Sequence, residues 1–81
     1  MNIQEVHKII KEEELSGFCL YSSENTNENE IVIEKIEDKW IVYTNDEIAT
    51  KTSIRYFDDE SAALQNFIKR LRGDKFFREN Y

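Results

Sequence analysis

Residues 30–44 read EIVIEKIEDKWIVYT, which is two runs of mostly β-branched and aromatic residues separated only by a Glu-Asp pair at 37–38. Such runs favour β-strands, and a two-residue interruption favours a tight hairpin. A loop of this length places Ile33 opposite Val42 and sets the other pairs of the hairpin. The predicted antiparallel strands are residues 30–36 and 39–44.

The same register divides the side chains of the hairpin between two faces. The first face carries four large apolar residues, which we expect to form the core: Ile31, Ile33, Trp40 and Val42. The second face is mixed: Val32, Glu34, Ile36, Ile41 and Tyr43. Because it is more apolar than exposure to water favours, this second face is predicted to be either covered by the chain or used for binding.

Amphipathic helices are predicted at both ends of the chain. Apolar residues spaced by three and four favour a helix from about residue 3 to 15, with Asn2 as its N-cap and Gly17 as its stop. A second helix is predicted to follow the capping residue Asp58 and to end at Gly73. Its apolar face is Ala63, Leu64, Phe67, Ile68 and Leu71.

The remaining segments complete the predicted architecture. Residues 22–30 contain no apolar residue and are predicted to form an exposed loop, and a third strand is predicted around residues 51–57. Residues 74–81 form a tail whose three aromatic side chains are expected to dock on the protein itself or, as the alternative, to form an interface. The predicted fold class is α+β: an antiparallel three- to four-stranded sheet with an N-terminal and a C-terminal helix (αβββα), in a single domain over residues 1–81.

Charge is distributed unevenly along the chain, whose net charge is −6. Residues 1–47 contain 12 Asp and Glu against 4 Lys and Arg, whereas residues 48–81 contain 5 against 7. A strongly acidic half repels nucleic-acid phosphates and speeds encounter with a basic partner, a solvated surface being the alternative. The single Cys19 excludes an internal disulfide and, with neither a secretion signal nor a membrane span in the sequence, predicts a cytoplasmic protein.

The sequence contains no recognisable catalytic or metal-binding constellation, so we expect neither enzyme activity nor a cofactor or metal. His7 and Cys19 are the only His and Cys, and both lie where the pattern predicts burial, which disfavours a catalytic pair. A zinc site needs three or four such ligands, and both glycines look like helix stops rather than a phosphate-binding loop. Basic residues of the C-terminal half, with Phe76 and Phe77, suit a nucleic acid, but the net charge opposes this alternative.

The stretch from Glu34 through Leu71 resembles small immunity proteins of bacterial polymorphic-toxin and contact-dependent inhibition systems. In that family a Trp-x-Val-Tyr strand is followed by a short Glu-Arg-Gly-like segment, another strand, and a Phe-Asp pair that opens a helix. The matching residues are Lys39-Trp40-Ile41-Val42-Tyr43, Asp46-Glu47, Phe57-Asp58-Asp59-Glu60-Ser61-Ala62-Ala63, Phe67 and Leu71. After Glu47 the chain has Ile48-Ala49 where the family often has Arg-Gly.

The resemblance implies a protein that binds and inactivates the C-terminal domain of a cognate toxin, frequently a nuclease, inside the producing cell. A nuclease is commonly basic around its active site, which an acidic partner approaches quickly. The residues predicted to contact the toxin are Glu24, Glu28, Glu30, Asp46 and Glu47, with Ile41 and Tyr43 as apolar anchors. The main alternative is a general interaction or regulatory module, for example a homodimer joined through a sheet edge or the aromatic tail.

Overall fold

The computed structural model describes residues 1–21 and 27–80 and has the predicted order of helix, strands and helix. Its elements in chain order are α1 (Ile3–Glu13), β1 (Phe18–Leu20), β2 (Ile31–Ile36), β3 (Lys39–Asn45), β4 (Lys51–Phe57) and α2 (Glu60–Asn80). The α+β fold class with a helix at each end is confirmed. The central hairpin and the strand predicted around residues 51–57 are confirmed as well.

The four strands form one sheet in the order β1-β2-β3-β4. The β2–β3 and β3–β4 pairs are antiparallel, but β1 lies parallel to β2, with Phe18 beside Ile31. The sheet is therefore mixed, and the prediction of a purely antiparallel sheet is wrong. The connection from Leu20 to Ile31 is too long for a tight hairpin and returns the chain to the end of the sheet at which β1 starts, as parallel pairing requires.

The predicted register of the central hairpin is confirmed: Ile33 pairs with Val42, and Lys35 pairs with Trp40. The Glu-Asp turn contains no glycine, and Glu37 adopts a left-handed conformation with a φ of 57°. In that conformation the Cβ atom approaches the following carbonyl oxygen, which costs a residue with a side chain about 1–2 kcal/mol. The turn is therefore a strained point of the fold.

Replacing Glu37 with glycine is expected to stabilise the protein. Glycine adopts the left-handed conformation without the steric cost but loses more backbone entropy on folding, so the expected gain in the free energy of unfolding is about 0.5–1 kcal/mol. Urea denaturation of wild type and Glu37→Gly measures this gain. Asp38→Gly is the matched control, because Asp38 does not have a positive φ and its replacement should only destabilise. A Glu37→Gly variant no more stable than wild type would contradict the prediction.

The main core lies between the sheet and the two helices, which pack on the predicted core face of the hairpin. Its buried residues come from the sheet, from both helices and from the segment after α1: Val6, Leu15, Ile31, Ile33, Val42, Ala63, Leu64, Phe67, Ile68 and Leu71. Trp40, the remaining residue predicted for this face, is partly buried against the cluster. The predicted apolar face of α2 is buried along its whole length.

On the central hairpin, the second face is covered rather than open. Its apolar residues are buried in a small separate cluster: Val32, Ile41 and Tyr43. Cys19 packs against this cluster, and the neighbouring Glu34 is only 8% exposed. Of the two alternatives predicted for this face, the structure therefore favours burial, with Ile36 as a half-exposed residue near the hairpin turn.

Helix α1 starts as predicted but ends earlier. Asn2 caps it, because its side chain accepts a hydrogen bond from a backbone N–H of the first turn. The helix ends when Glu14 takes a left-handed conformation with a φ of 54° and donates its N–H to the last turn, so the predicted stop at Gly17 is wrong. His7 is exposed, which corrects its predicted core position: the helix turns the adjacent Val6 into the core instead.

The N-terminal end of α2 is capped by Asp59 rather than by the predicted Asp58. The Asp59 Oδ1 atom accepts a hydrogen bond from the Ala62 N–H at 2.8 Å. Asp58 instead forms an ion pair with Lys39 at the start of β3. One acidic residue therefore satisfies the helix end, and the other joins the helix start to the hairpin.

Helix α2 continues through Gly73 to Asn80, which corrects both the predicted stop and the predicted tail. Gly73 lies on an open side of the helix, where an added Cβ would meet no neighbour. Two ion pairs with the helical i,i+4 spacing support this extension: Asp74–Arg78 at 3.1 Å and Lys75–Glu79 at 3.9 Å. Phe76 and Phe77 are 62% and 63% exposed, so most of each ring is open to water rather than buried as expected, and Tyr81 lies outside the described residues.

Candidate partner-binding surface

The loop between β3 and β4 is built around the Asp46 carboxylate. Its Oδ1 atom accepts hydrogen bonds from the backbone N–H groups of Ile48 at 3.0 Å and Thr50 at 2.9 Å. The Asp46 N–H donates to the Thr50 carbonyl, and the Ala49 N–H donates to the Asp46 carbonyl, each at 3.0 Å. An aspartate that satisfies the amides of its own turn favours one loop conformation, so the side chains at the tip are presented in a defined orientation.

A second loop, residues 27–30, lies against the first. The Asn29 N–H donates to the Asp46 carbonyl at 3.1 Å, and the Asn45 side chain donates to the Asn27 carbonyl at 3.1 Å. Asn45 is 2% exposed, so this link between the loops is protected from water. The contact gathers four carboxylates at one end of the sheet, which we call the acidic end: Glu28, Glu30, Asp46 and Glu47.

The acidic end therefore brings together most of the carboxylates predicted to contact a partner. Glu28 and Glu47 are exposed, whereas Glu30 and Asp46 are partly buried and accept hydrogen bonds within their own loops. Glu24, the remaining predicted carboxylate, lies outside the residues that the structure describes. Glu28 and Glu47 thus present the most accessible charge, while Glu30 and Asp46 also hold the loops in shape.

The two predicted apolar anchors do not lie on this surface. Ile41 is 4% exposed and Tyr43 is 0% exposed, and both belong to the cluster on the second face of the sheet. A side chain that its own chain buries offers no area to a partner, so the assignment of these residues as anchors is corrected. The alternation of side chains along a strand showed that the two residues share a face, but it could not show whether the protein covers that face.

Ile48 supplies the exposed apolar group that sequence reasoning missed. It lies at the tip of the Asp46 loop beside Glu47 and is 79% exposed, more than any other large hydrophobic residue described. Because the loop is already ordered by hydrogen bonds, burying Ile48 against a partner requires little further ordering of the backbone. The signal in the sequence was an isoleucine inside an otherwise polar turn, which hydrophobicity alone would assign to the core.

Two buried polar atoms on the second face have no hydrogen-bond partner among the described residues: Glu34 Oε2 and the Tyr43 hydroxyl. Burial, with smaller contributions from the Glu34 carboxylate and Cys19, raises the pKa of Tyr43 to about 12. Leaving a buried polar atom unsatisfied costs about 1–3 kcal/mol. This cluster therefore reduces the stability that the second face contributes to the fold.

A shallow groove of about 500 Å³ lies between the C-terminal parts of α1 and α2. Arg72 donates to both carboxylate oxygens of Glu13, at 2.9 and 2.6 Å, and Lys75 donates to the Glu13 carbonyl. The hydrogen bond from Arg72 is the main reason that the pKa of Glu13 lies below its usual value. Because these basic groups already have partners within the protein, the groove is poorly suited to nucleic-acid phosphates.

Comparisons of the chain with protein-family models, with curated proteins and with solved structures give no match. Within residues 1–21 and 27–80, no three or more His, Cys, Asp or Glu side chains are grouped as the ligands of a metal ion would be. No helix in the same residues is both long and apolar enough to cross a membrane. The candidate surface is therefore identified by its geometry and charge alone.

Proposed function

We propose that this protein is an immunity protein, which binds and neutralises the C-terminal domain of a cognate secreted bacterial toxin, a basic nuclease, in the cytoplasm of the producing cell. The observation that carries the proposal is the acidic end, where a hydrogen-bonded loop presents Ile48 next to Glu47. An exposed apolar group next to carboxylates suits a basic surface with an apolar pocket. The resemblance of residues 34–71 to small immunity proteins supports the same function.

Neutralisation in this proposal is direct, stoichiometric binding without any bond being made or broken. The net charge of −6 attracts a basic nuclease over several ångströms and speeds the encounter. Carboxylates of the acidic end then occupy positions at which the nuclease binds substrate phosphates. Ile48 excludes water at the centre of the contact and slows dissociation, because apolar anchors act mainly on the dissociation rate.

Co-expression with the toxin domain encoded beside this gene is expected to restore growth to cells that the toxin alone arrests. The purified proteins should form a one-to-one complex in size-exclusion chromatography with light scattering. Failure to rescue growth against every neighbouring toxin, with folded protein present in the cells, would contradict the proposal.

A charge reversal at the acidic end provides the matched control for this experiment. Glu47→Lys is expected to lower the association rate about tenfold at low salt, since electrostatic attraction acts mainly on the encounter. Glu37→Lys makes the same charge change at the hairpin turn, at the opposite end of β2 and β3, and should reduce the rate much less. Equal effects of the two substitutions would assign the attraction to net charge rather than to the acidic end.

A homodimeric interaction module is a second candidate, because Phe76 and Phe77 are exposed near the C-terminal end of α2. Two exposed aromatic rings on a helix, beyond its last buried residue, can pair with the same rings of a second copy. Light scattering on the protein alone distinguishes the two functions. A monomer that binds the toxin domain supports the immunity protein, whereas a dimer that Phe76→Asp dissociates, and that ignores the toxin, supports the module.

A further inference from the structure

Strand β4 forms an open edge of the sheet, because among the described strands it pairs only with β3. Residues 51–56 are all exposed. An edge strand leaves one row of backbone N–H and C=O groups unpaired, and a further strand can add to that row. The register shift between Val42 and Thr44 falls opposite Ser53, whose φ is 53°, and Ile54, so residues 55–57 form the regular part of the edge and Ile54 adjoins it.

The side chains of this regular part alternate between the two faces of the sheet. Arg55 lies opposite Val42, on the face that carries the helices, whereas Tyr56 lies opposite Ile41 on the second face. Tyr56 is 67% exposed, and Ile54, two residues before it, is 43% exposed. A strand placed beside β4 would therefore meet a basic side chain on one face and apolar side chains on the other.

Basic residues near this edge are not neutralised by carboxylates of the chain. Of the other eight basic side chains, five are ion-paired: Lys8, Lys39, Arg72, Lys75 and Arg78. Within the part of the chain that the structure describes, Lys51 and Arg55 of β4 and Arg70 of α2 have no carboxylate at ion-pair distance. In a protein of net charge −6, this corner is locally positive.

The two arginines of this corner are held in place close to each other. Arg70 donates to Thr44 Oγ1 at 3.2 Å and to the Ser53 carbonyl at 2.6 Å, and the Arg55 guanidinium lies 5.4 Å from the centre of the Phe57 ring. Burial and, secondly, the charge of Arg55 lower the pKa of Arg70, so the two positive charges oppose each other. A carboxylate beside them would relieve this repulsion and could accept from the Arg70 N–H groups that the bonds to Thr44 and Ser53 do not use.

We propose that β4 is a docking edge for an extended acidic segment of a partner protein, which adds as a fifth strand beside residues 54–57. Acidic side chains of this segment contact Arg55 and Arg70 on the helix-bearing face, and the alternate, apolar side chains cover Ile54 and Tyr56 on the second face. A second copy of this chain is a poor occupant, because β4 against β4 places arginines of both copies next to each other. The inference goes beyond the proposed immunity function and does not depend on it.

The test uses a short, end-capped peptide of alternating valine and glutamate, titrated into the full-length ¹⁵N-labelled protein. We expect the amide resonances of residues 54–57 to shift and their hydrogen exchange to slow. Arg55→Glu should weaken binding at least about tenfold, because it replaces an attractive charge with a repulsive one. Lys69→Glu is the matched control, since it makes the same change at an exposed residue of α2 next to Arg70 and should weaken binding less than threefold.

Three results would overturn the proposal. The first is that the amide resonances of residues 54–57 do not shift with millimolar peptide. The second is that Arg55→Glu, shown by its spectrum to be folded, binds the peptide as tightly as wild type does. The third is that polyuridylate at physiological salt shifts the same amide resonances while the peptide does not. That result would assign the edge to a nucleic acid. A peptide of alternating valine and lysine should produce no shift.

Discussion

Replacing Ile48 with aspartate is expected to weaken binding to the proposed partner, a cognate toxin domain, about a hundredfold. Ile48 is 79% exposed at the tip of a hydrogen-bonded loop and is the apolar group that the acidic end offers to a partner. An anchor residue of an interface contributes at least about 2 kcal/mol, and a carboxylate in its pocket adds the cost of burying a charge. About 2.7 kcal/mol corresponds to the hundredfold change in Kd, which isothermal titration calorimetry measures.

Ile48→Leu is the matched control for this substitution, because it keeps the apolar area at the tip of the loop. Its affinity should stay within about threefold of wild type. Both variants should unfold at the wild-type temperature, since substitutions at exposed positions change stability little. If Ile48→Asp bound the toxin as tightly as wild type does, Ile48 would lie outside the interface.

Raising the pH from 9 to 11.5 is expected to cost the folded protein about 2 kcal/mol through Tyr43 alone. Burial, with the Glu34 carboxylate and Cys19 as smaller causes, raises the pKa of Tyr43 to about 12 in the folded protein, against about 10 in an unfolded chain. Between these values the unfolded chain loses the phenolic proton that the folded protein keeps. The stabilisation is therefore complete below pH 10 and is lost as the pH rises toward 12, which urea denaturation at both pH values measures.

Tyr43→Phe is expected to remove this part of the alkaline loss. The substitution keeps the buried ring and deletes a hydroxyl that has no hydrogen-bond partner among the described residues, so at pH 7 the variant should be as stable as wild type or up to about 1 kcal/mol more stable. Tyr56→Phe, at a tyrosine that is 67% exposed, is the matched control and should lose stability as wild type does. A Tyr43→Phe variant that loses as much stability as the control would contradict the assignment.

The two proposed binding surfaces have opposite charge and adjoin each other along the chain. The loop that carries Asp46 and Glu47 leads directly into Lys51, the first residue of the docking edge. Salt at physiological concentration screens charges that are not in direct contact. Under that condition, reversing a charge on one surface should leave binding at the other largely intact. The acidic and basic halves recognised in the sequence thus correspond to surfaces that suit partners of different chemistry.

Much of the central architecture could be predicted because it depends on local geometry. A two-residue turn leaves one antiparallel register that pairs Ile33 with Val42, and alternation then assigns every side chain of the hairpin to a face. The apolar face of α2 follows from its three-and-four spacing in the same way. The carboxylates of the acidic end could also be anticipated, because polar runs between strands form exposed turns.

The end of α2 could not be predicted from local signals alone. Glycine after an apolar helical stretch is a common helix stop, but here the residues after Gly73 form ion pairs along the helix, which therefore continues. The end of α1 differed for a related reason, since Glu14 takes the left-handed conformation that glycine usually supplies. Glycine permits such a conformation without requiring it, so its position in the sequence indicates a helix end only weakly.

The local sequence was sufficient for the hairpin register, the faces of its strands and the core side of α2, because these follow from bonded geometry and the spacing of apolar residues. The direction of β1, the burial of Ile41 and Tyr43 and the exposure of Ile48 depended on the tertiary structure. Each of these features is decided by the side chains that distant segments of the sequence bring into contact with the residue. Residue type and periodicity state which side chains share a face, but whether water or protein covers that face is a property of the whole packed chain.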